Sequence, residues 1–332
     1  MGREEDDIEV LRRRTSNLFR DLGPLIPFFE TPSVTNVHVY GDGAVEVEEF
    51  GKDPCYACFV LTVSDRQRIV NSLASISDAP IDRWVRPTLE TLIPDYNVRA
   101  TAILPPWTRT PELTFRRPAH KIYTLDEYAS SGRFSFRGNG PKGVVQGAPP
   151  EFGSLYDKVA WHLENRSNIV VSGSTGSGKT TFLNALIERM ARLTPDERFY
   201  VVEDVPELQC GAKRTTQLYI RKDQAVAAIQ TALRWTPKRI IFGEIRSGEV
   251  AVELLEAWNT GHPGNVTTIH ANDAASTVTR IQGLLRQVIA GRLPDLSSAI
   301  QLIVHVSSSP GFGPFIKEVL TLDEINSMNG AP

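Results

Sequence analysis

Residues 168–181 read Asn168-Ile-Val-Val-Ser-Gly173-Ser-Thr-Gly176-Ser-Gly178-Lys179-Thr180-Thr181. The apolar run Ile169-Val-Val171 has the pattern of a buried strand, and it leads straight into G-x-x-x-x-G-K-T. Beyond the loop, Leu183, Leu186, Ile187 and Met190 recur at i, i+3, i+4 and i+7, which is one face of a helix. That helix is expected to stop at Thr194-Pro195. Strand, glycine loop and amphipathic helix in this order predict a P-loop that binds ATP with Mg²⁺. Gly173, Gly176 and Gly178 let the backbone curl so that successive N–H groups point at phosphate oxygens, and Ser174, Thr175 and Ser177 complete the cradle. The N-terminus of the following helix adds favourable partial charge. Lys179 is expected at the β- and γ-phosphates, the Thr180 hydroxyl on Mg²⁺, and Thr181 near the α-phosphate.

Hydrolysis further requires a held metal and an aimed water. Carboxylates that directly follow hydrophobic strands are placed to serve both. Phe199-Tyr-Val-Val202 is such a strand and ends in Glu203-Asp204, with Glu207 close behind. Ile240-Ile-Phe242 is another and ends in Gly243-Glu244. Glu244 is assigned to orienting or polarising the attacking water, directly or through the Mg²⁺ shell, and Glu203 and Asp204 to the metal's water shell or the catalytic water chain. A third run, Val266-Thr-Thr-Ile-His270, sets His270 at a strand end, where it is expected to sense the γ-phosphate by hydrogen bonding. His262 is a weaker candidate.

Working outward, strand, loop and helix alternate from residue 154 to 332, which predicts a mostly parallel sheet with helices on both faces. Residues 131–153 carry repeated Gly and Pro and read as a linker. Before them, 1–130 reads as an α+β domain. A helix is expected over 8–30, bearing Arg12-Arg13-Arg14 as a solvated face. Short alternating segments from Val34 follow, with a hairpin turn at Gly41-Asp42-Gly43, a helix near 65–75, and strands near 98–104 and 113–115. The 332 residues suit two domains. A net charge of -3 argues against general coating of nucleic acid or anionic membrane. No apolar run approaches the length of a membrane span, and MGREEDDIEV lacks a secretory core, so a cytosolic chain with at most peripheral membrane contact is expected. The cysteines Cys55, Cys58 and Cys210 are too few for a four-ligand zinc site and are read as plain thiols.

Taken together these segments resemble the type II/type IV secretion ATPase superfamily, and in particular the conjugal-transfer traffic ATPases. The resemblance is carried by GSTGSGKTT, by an Asp box from Val202 to Leu208, by the Walker B run Ile241-Phe-Gly243-Glu244-Ile-Arg246, and by a His box from Gly261 to Asn272. Ala257-Trp-Asn-Thr-Gly-His-Pro-Gly264 is similar to the conjugation branch, and the glycine in Walker B is a family trait. The resemblance implies a RecA-like P-loop NTPase domain preceded by a smaller, PAS-like N-terminal domain. It also implies a homohexameric ring and peripheral attachment to a secretion or conjugation apparatus at the inner face of the bacterial inner membrane. No sequence-specific nucleic acid is implied. An arginine from the N-terminal domain completes the family's site, and Arg116 or Arg117 matches that position. Arg133 is a weaker match, and Arg234, Arg239 and Arg246 surround Walker B. Pro237-Lys238 departs from the family's Pro-Asp, and Val205-Pro206 stands where Thr is common.

The reading is therefore an ATP-hydrolysing secretion or conjugation motor. A type IV pilus or type II secretion motor is the first alternative, and its frequent four-cysteine module has no counterpart here. A RecA-like helicase or translocase is the second; it calls for a basic channel or aromatic platform that the sequence does not display.

Overall fold

A computed structural model of the chain describes residues 2–49, 52–77, 87–117, 122–135, 152–259, 262–309 and 311–329, with side chains from residue 9 onward. The chain divides into two compact units between His120 and Lys121.

The first unit comprises α1 (Gly2–Leu22), α2 (Ile26–Glu30), β1 (Val34–Val39), β2 (Ala44–Glu49), β3 (Cys55–Val60), α3 (Val63–Ser77), β4 (Thr88–Ile93), β5 (Val98–Ile103) and β6 (Glu112–Arg116). The helix expected over 8–30 is interrupted at Gly23-Pro24, where proline removes a ladder donor. Its strands form one antiparallel sheet in the order β3-β2-β1-β6-β5-β4. Alternation sets Val45 and Val47 inward while the neighbouring glutamates face out, so one sheet face takes the core. Leu18, Leu22, Ile69, Val70 and Leu73 from α1 and α3 share that core. Strand β4 carried no clear sequence signal. Cys55 and Cys58 are both exposed and lie an odd number of residues apart on a strand, so they project to opposite faces.

The second unit comprises α4 (Leu125–Ser130), α5 (Leu155–Glu164), β7 (Ile169–Gly173), α6 (Lys179–Leu193), β8 (Arg198–Glu203), β9 (Arg214–Tyr219), α7 (Ala225–Trp235), β10 (Arg239–Phe242), α8 (Gly248–Asn259), β11 (Val266–His270), α9 (Ala274–Leu285), β12 (Leu302–Ser309), β13 (Gly313–Thr321) and α10 (Leu322–Asn329). Seven strands run in the order β13-β12-β7-β11-β10-β8-β9. All pairings are parallel except that of β13 with β12. Ile169–Gly173 is buried at every position, as a strand covered on both faces must be. Residues of α7, α8 and α9 build the core on one face. Residues of α4, α5 and α6 build it on the other. Leu125, Tyr128 and Phe134 belong to that second core, so residues 122–135 pack with the second unit rather than with the domain drawn at 1–130. Leu125 and Tyr128 fall in the stretch read as the first domain, and Phe134 in the stretch read as a linker, where its burial outweighs the glycine signal. The rest of the expected linker, 136–151, lies outside the described residues. No described helix is long and apolar enough to cross a membrane.

At the strand-start edge of this sheet, buried Asn168 ties three segments together. Its Oδ1 accepts from the Gly264 N–H at 3.1 Å, the Asn265 N–H at 3.0 Å and Asn265 Nδ2 at 2.9 Å, and its Nδ2 donates to the Ala299 carbonyl at 2.8 Å. Asn265 Oδ1 in turn accepts the Ile240 N–H at 2.6 Å. Replacing Asn168 with Ala strands buried donors, each worth roughly 1–3 kcal/mol. A urea titration followed by circular dichroism is expected to show Asn168→Ala losing about 3 kcal/mol. An unchanged midpoint would remove this network from the account of the fold.

Candidate active site

Parallel register brings the sequence candidates to one edge. His270 lies opposite Gly173 across the β11–β7 pairing, and Phe242 lies opposite both Thr267 on β11 and Val202 on β8. The C-terminal ends of β7, β11, β10 and β8 thus emerge side by side, carrying the glycine loop, His270, Glu244 and Glu203-Asp204.

Two glycines of the loop are obligatory. Gly178 caps α6 at φ +92°, and a Cβ there would lie 2.5 Å from Pro314 Cγ. A Cβ on Gly173 would meet the Val306 carbonyl oxygen at 2.3 Å. Ser174, Thr175 and Gly176 form the exposed tip, while Thr180 and Thr181 stand half-buried in the first turn of α6. The Ser177 hydroxyl is buried and has no hydrogen-bond partner among the described residues. Lys179 is 8 % exposed. Its ammonium donates to the Ser174 carbonyl at 2.8 Å and to His270 Nδ1 at 3.2 Å.

That last contact settles the imidazole's tautomer. Nδ1 accepts from an ammonium and so carries no proton, which places the proton of the neutral ring on Nε2. The His270 pKa is lowered by burial first; Lys179 and Arg246 add to the effect and Glu244 opposes it. Nε2 stands 2.8 Å from Glu244 Oε1. The approach is not aligned as a hydrogen bond, so among the described residues the buried Oε1 has this close contact and no hydrogen-bond donor. Glu244 Oε2 is satisfied, accepting from Arg246 Nε at 2.6 Å, and Arg246 Nη1 also reaches Asp204. Lys179 is thereby hydrogen-bonded to His270, and Arg246 to Glu244 and Asp204, and the two groups meet in the close His270–Glu244 contact at the loop's mouth.

Glu203 is placed differently from expectation. It is 3 % exposed, and both oxygens are committed. Oε2 accepts the Glu207 and Leu208 N–H groups at 2.8 Å each, and Oε1 accepts Gln217 Nε2 at 2.7 Å. The carboxylate pins the Asp-box turn to β9 and offers no lone oxygen to a metal shell. Burial pushes its pKa up to about 7 against the pull of those three donors. The Walker B glycine has a local reason too: a Cβ on Gly243 would press to 3.3 Å from Glu203 Cβ. Asn184, which carried no sequence signal, holds the same turn, donating to the Glu207 carbonyl and accepting the Gln209 N–H, both at 2.9 Å.

The arginines separate. Arg239 opens β10 at the opposite end of the strand from Glu244, buried, with Nε 3.0 Å from Glu197. Strand polarity removes it from the site that sequence proximity suggested. Arg234 is exposed in the last turn of α7. His262 Nδ1 is bound at 2.9 Å to the Pro237 carbonyl, again at the strand-start edge, and Gly261 of the His box lies outside the described residues. Arg116 ends β6 in the first unit, exposed, and Arg117 follows with its guanidinium donating to the Thr31 carbonyl and its pKa lowered by burial. Arg133 donates to the Pro314 carbonyl and lies 5.5–5.7 Å from the ring centres of Tyr123, Tyr128 and Phe312. Pro314 is the residue that walls Gly178, so Arg133 borders the glycine loop through one intermediary.

For a hard divalent cation the fitting protein donor is the Thr180 hydroxyl, half-buried in the first turn of α6. A site this sparse suits Mg²⁺, which takes one or two protein oxygens and completes its shell with phosphate and water.

Residues 152–308 match the family described as type II/IV secretion system protein. The chain is 32% identical over 293 residues to the conjugal transfer protein TrbB of Rhizobium radiobacter, covering 88% of this chain and 84% of the relative. It is 28% identical over 340 residues to the type IV secretion system protein VirB11 of Brucella suis, covering 94% and 92%. In fold it is similar to the pilus retraction motor PilT solved with ADP, at TM-score 0.62, 19% identity and coverage of 90% and 82%.

The raised pKa of Glu203 has a stability consequence. In the unfolded chain the group titrates near 4.5, in the fold near 7, so the folded state holds the proton more tightly. That stabilisation is present in full below about pH 4.5 and is lost as pH rises through about 7. Thermal melts of wild type and Glu203→Gln across pH 4–8 are expected to converge at the acid end and to favour the Gln variant as pH rises. A constant gap between the two would contradict the assignment.

Proposed function

This chain belongs to the type II/IV secretion system protein family, and on that premise we propose that it is the ATP-hydrolysing motor of a type IV secretion or conjugal-transfer apparatus. The observation that carries the reading is the contact chain from Lys179 through His270 to Glu244 at the mouth of a complete glycine loop. The second unit is read as a RecA-like NTPase domain, supported by its strand order and by the P-loop on a central strand. The first unit, an antiparallel sheet under helices, is read as PAS-like.

In the proposed cycle, ATP enters over Gly173–Thr181. Lys179 exchanges its Ser174 and His270 contacts for phosphate oxygens. His270, freed of the ammonium, turns its Nε2–H toward the γ-phosphate and reports whether that phosphate is present. Glu244 Oε1, buried and unsatisfied, accepts a hydrogen bond from the attacking water and aims it at phosphorus. Mg²⁺, when bound with ATP, supplies charge neutralisation at the phosphates, with Thr180 as its protein oxygen. Glu203 keeps the Asp-box turn in place, and Asp204 acts through Arg246. Arg116 and Arg117 remain the candidates for stabilising transition-state charge. The motor is read as a homohexameric ring, attached peripherally to secretion components at the inner membrane. A pilus-type motor is the alternative; the PilT likeness supports it at the level of fold, whereas the matched relatives by name are conjugal and type IV secretion proteins.

Lys179→Ala is expected to abolish nucleotide binding in a calorimetric titration with ATP and Mg²⁺; normal binding would overturn the site. Glu244→Gln is expected to bind ATP normally and to hydrolyse it about 10²–10⁴-fold more slowly in a phosphate-release assay. Light scattering with and without ATP is expected to reveal a ring-sized oligomer, and monomer in both conditions would defeat the motor model.

A further inference from the structure

We propose that Arg246 is a positioning residue for hydrolysis. Its guanidinium forks Glu244 and Asp204 together, so that one oxygen of Glu244 is anchored and the other is presented. The proposal rests on the functional reading above.

The two acids arrive from different strands, Glu244 just past β10 and Asp204 just past β8. Without a cation between them, neighbouring carboxylates repel, and the Glu244 side chain would be free to rotate. Arg246 meets both with separate nitrogens: Nε holds Glu244 Oε2 at 2.6 Å, and Nη1 holds Asp204 Oδ2. Oε2 is thereby consumed. Oε1 stays buried and without a hydrogen bond, 2.8 Å from His270 Nε2, so the carboxylate is anchored at one end and faces the imidazole with the other. An ordinary exposed ion pair stabilises little. This one is set apart by the 12% exposure of the Glu244 side chain and by the planar guanidinium, which can bind two carboxylates at defined angles where an ammonium cannot. With Nε and Nη1 engaged by acids, at most the Nη2 end of Arg246 is left to reach a phosphate.

The test compares wild type, Arg246→Lys, Glu244→Gln and the double variant by kcat and KM for ATP, and by ADP and ATP affinity. Lysine keeps the charge and loses the fork. Arg246→Lys is expected to lower kcat by about 10–100-fold. Its KM and both affinities should stay within about twofold of wild type, and the double variant should be no slower than Glu244→Gln alone beyond the same margin. Losses that multiply in the double variant would overturn the proposal by showing that Arg246 acts independently of Glu244. Weakened ATP affinity at constant ADP affinity would overturn it by showing a γ-phosphate contact. Normal kcat in Arg246→Lys overturns it as well, while wild-type turnover leaves the functional reading standing. If the wild type itself turns over no ATP, the functional reading is what fails.

Discussion

The parallel register between β7 and β11 is the constraint on which the phosphate-binding end depends. It sets His270 opposite Gly173, and through β10 and β8 it brings Glu244 and Asp204 to the same edge. A shift of one residue would turn every strand side chain to the other face and move His270 away from the Lys179 ammonium. The register is held from the other edge, where Asn168 and Asn265 lock the starts of β7, β11 and β10 with buried hydrogen bonds. Arg239, paired with Glu197 and bonded to the Gly264 carbonyl at 2.9 Å, adds a second lock on that edge. One edge of the sheet is thus devoted to alignment, and the other is left to chemistry.

Electrostatically the chemical edge is arranged as a balance. A buried ammonium is costly unless it finds acceptors, and Lys179 finds a carbonyl and an imidazole nitrogen. Burial and two nearby cations lower the imidazole's pKa against the pull of Glu244 and a backbone hydrogen bond to Gly173. Glu244 is held between that ring and a guanidinium. Among the described residues at this edge, the buried side-chain polar atoms without a hydrogen bond are Glu244 Oε1 and the Ser177 hydroxyl. Buried acceptors and hydroxyls without partners are unfavourable in a resting fold, and at a site that receives a ligand they are the atoms left for it.

Glu203 and Gly243 illustrate how closely the neighbouring strand ends are packed. The carboxylate that sequence position suggested for the metal instead braces the turn carrying the Asp box, and the glycine beside it leaves room for that brace. Bracing of this kind fixes the backbone from which Asp204 projects toward Arg246.

Much of this was legible in residue order. The valine-rich strand, the spacing of three glycines and the helical recurrence of Leu183, Leu186, Ile187 and Met190 are local patterns, and local sterics and periodicity suffice to read them. Acid-terminated strands pointed to Glu203, Asp204, Glu244 and His270 for the same reason. What could not be read was direction and partnership. Arg239 and Arg246 lie seven residues apart in the chain and face opposite ends of one strand. Glu203 and Glu244 both follow hydrophobic strands, yet one is spent on backbone N–H groups and the other retains an open oxygen. Residues 122–130 looked like the end of one domain and 131–135 like the start of a linker, and both pack into the second unit through Leu125, Tyr128 and Phe134. Each of these depends on contacts between residues far apart in sequence, whose energies exist only once the sheet has closed its register; composition and spacing carry no record of them.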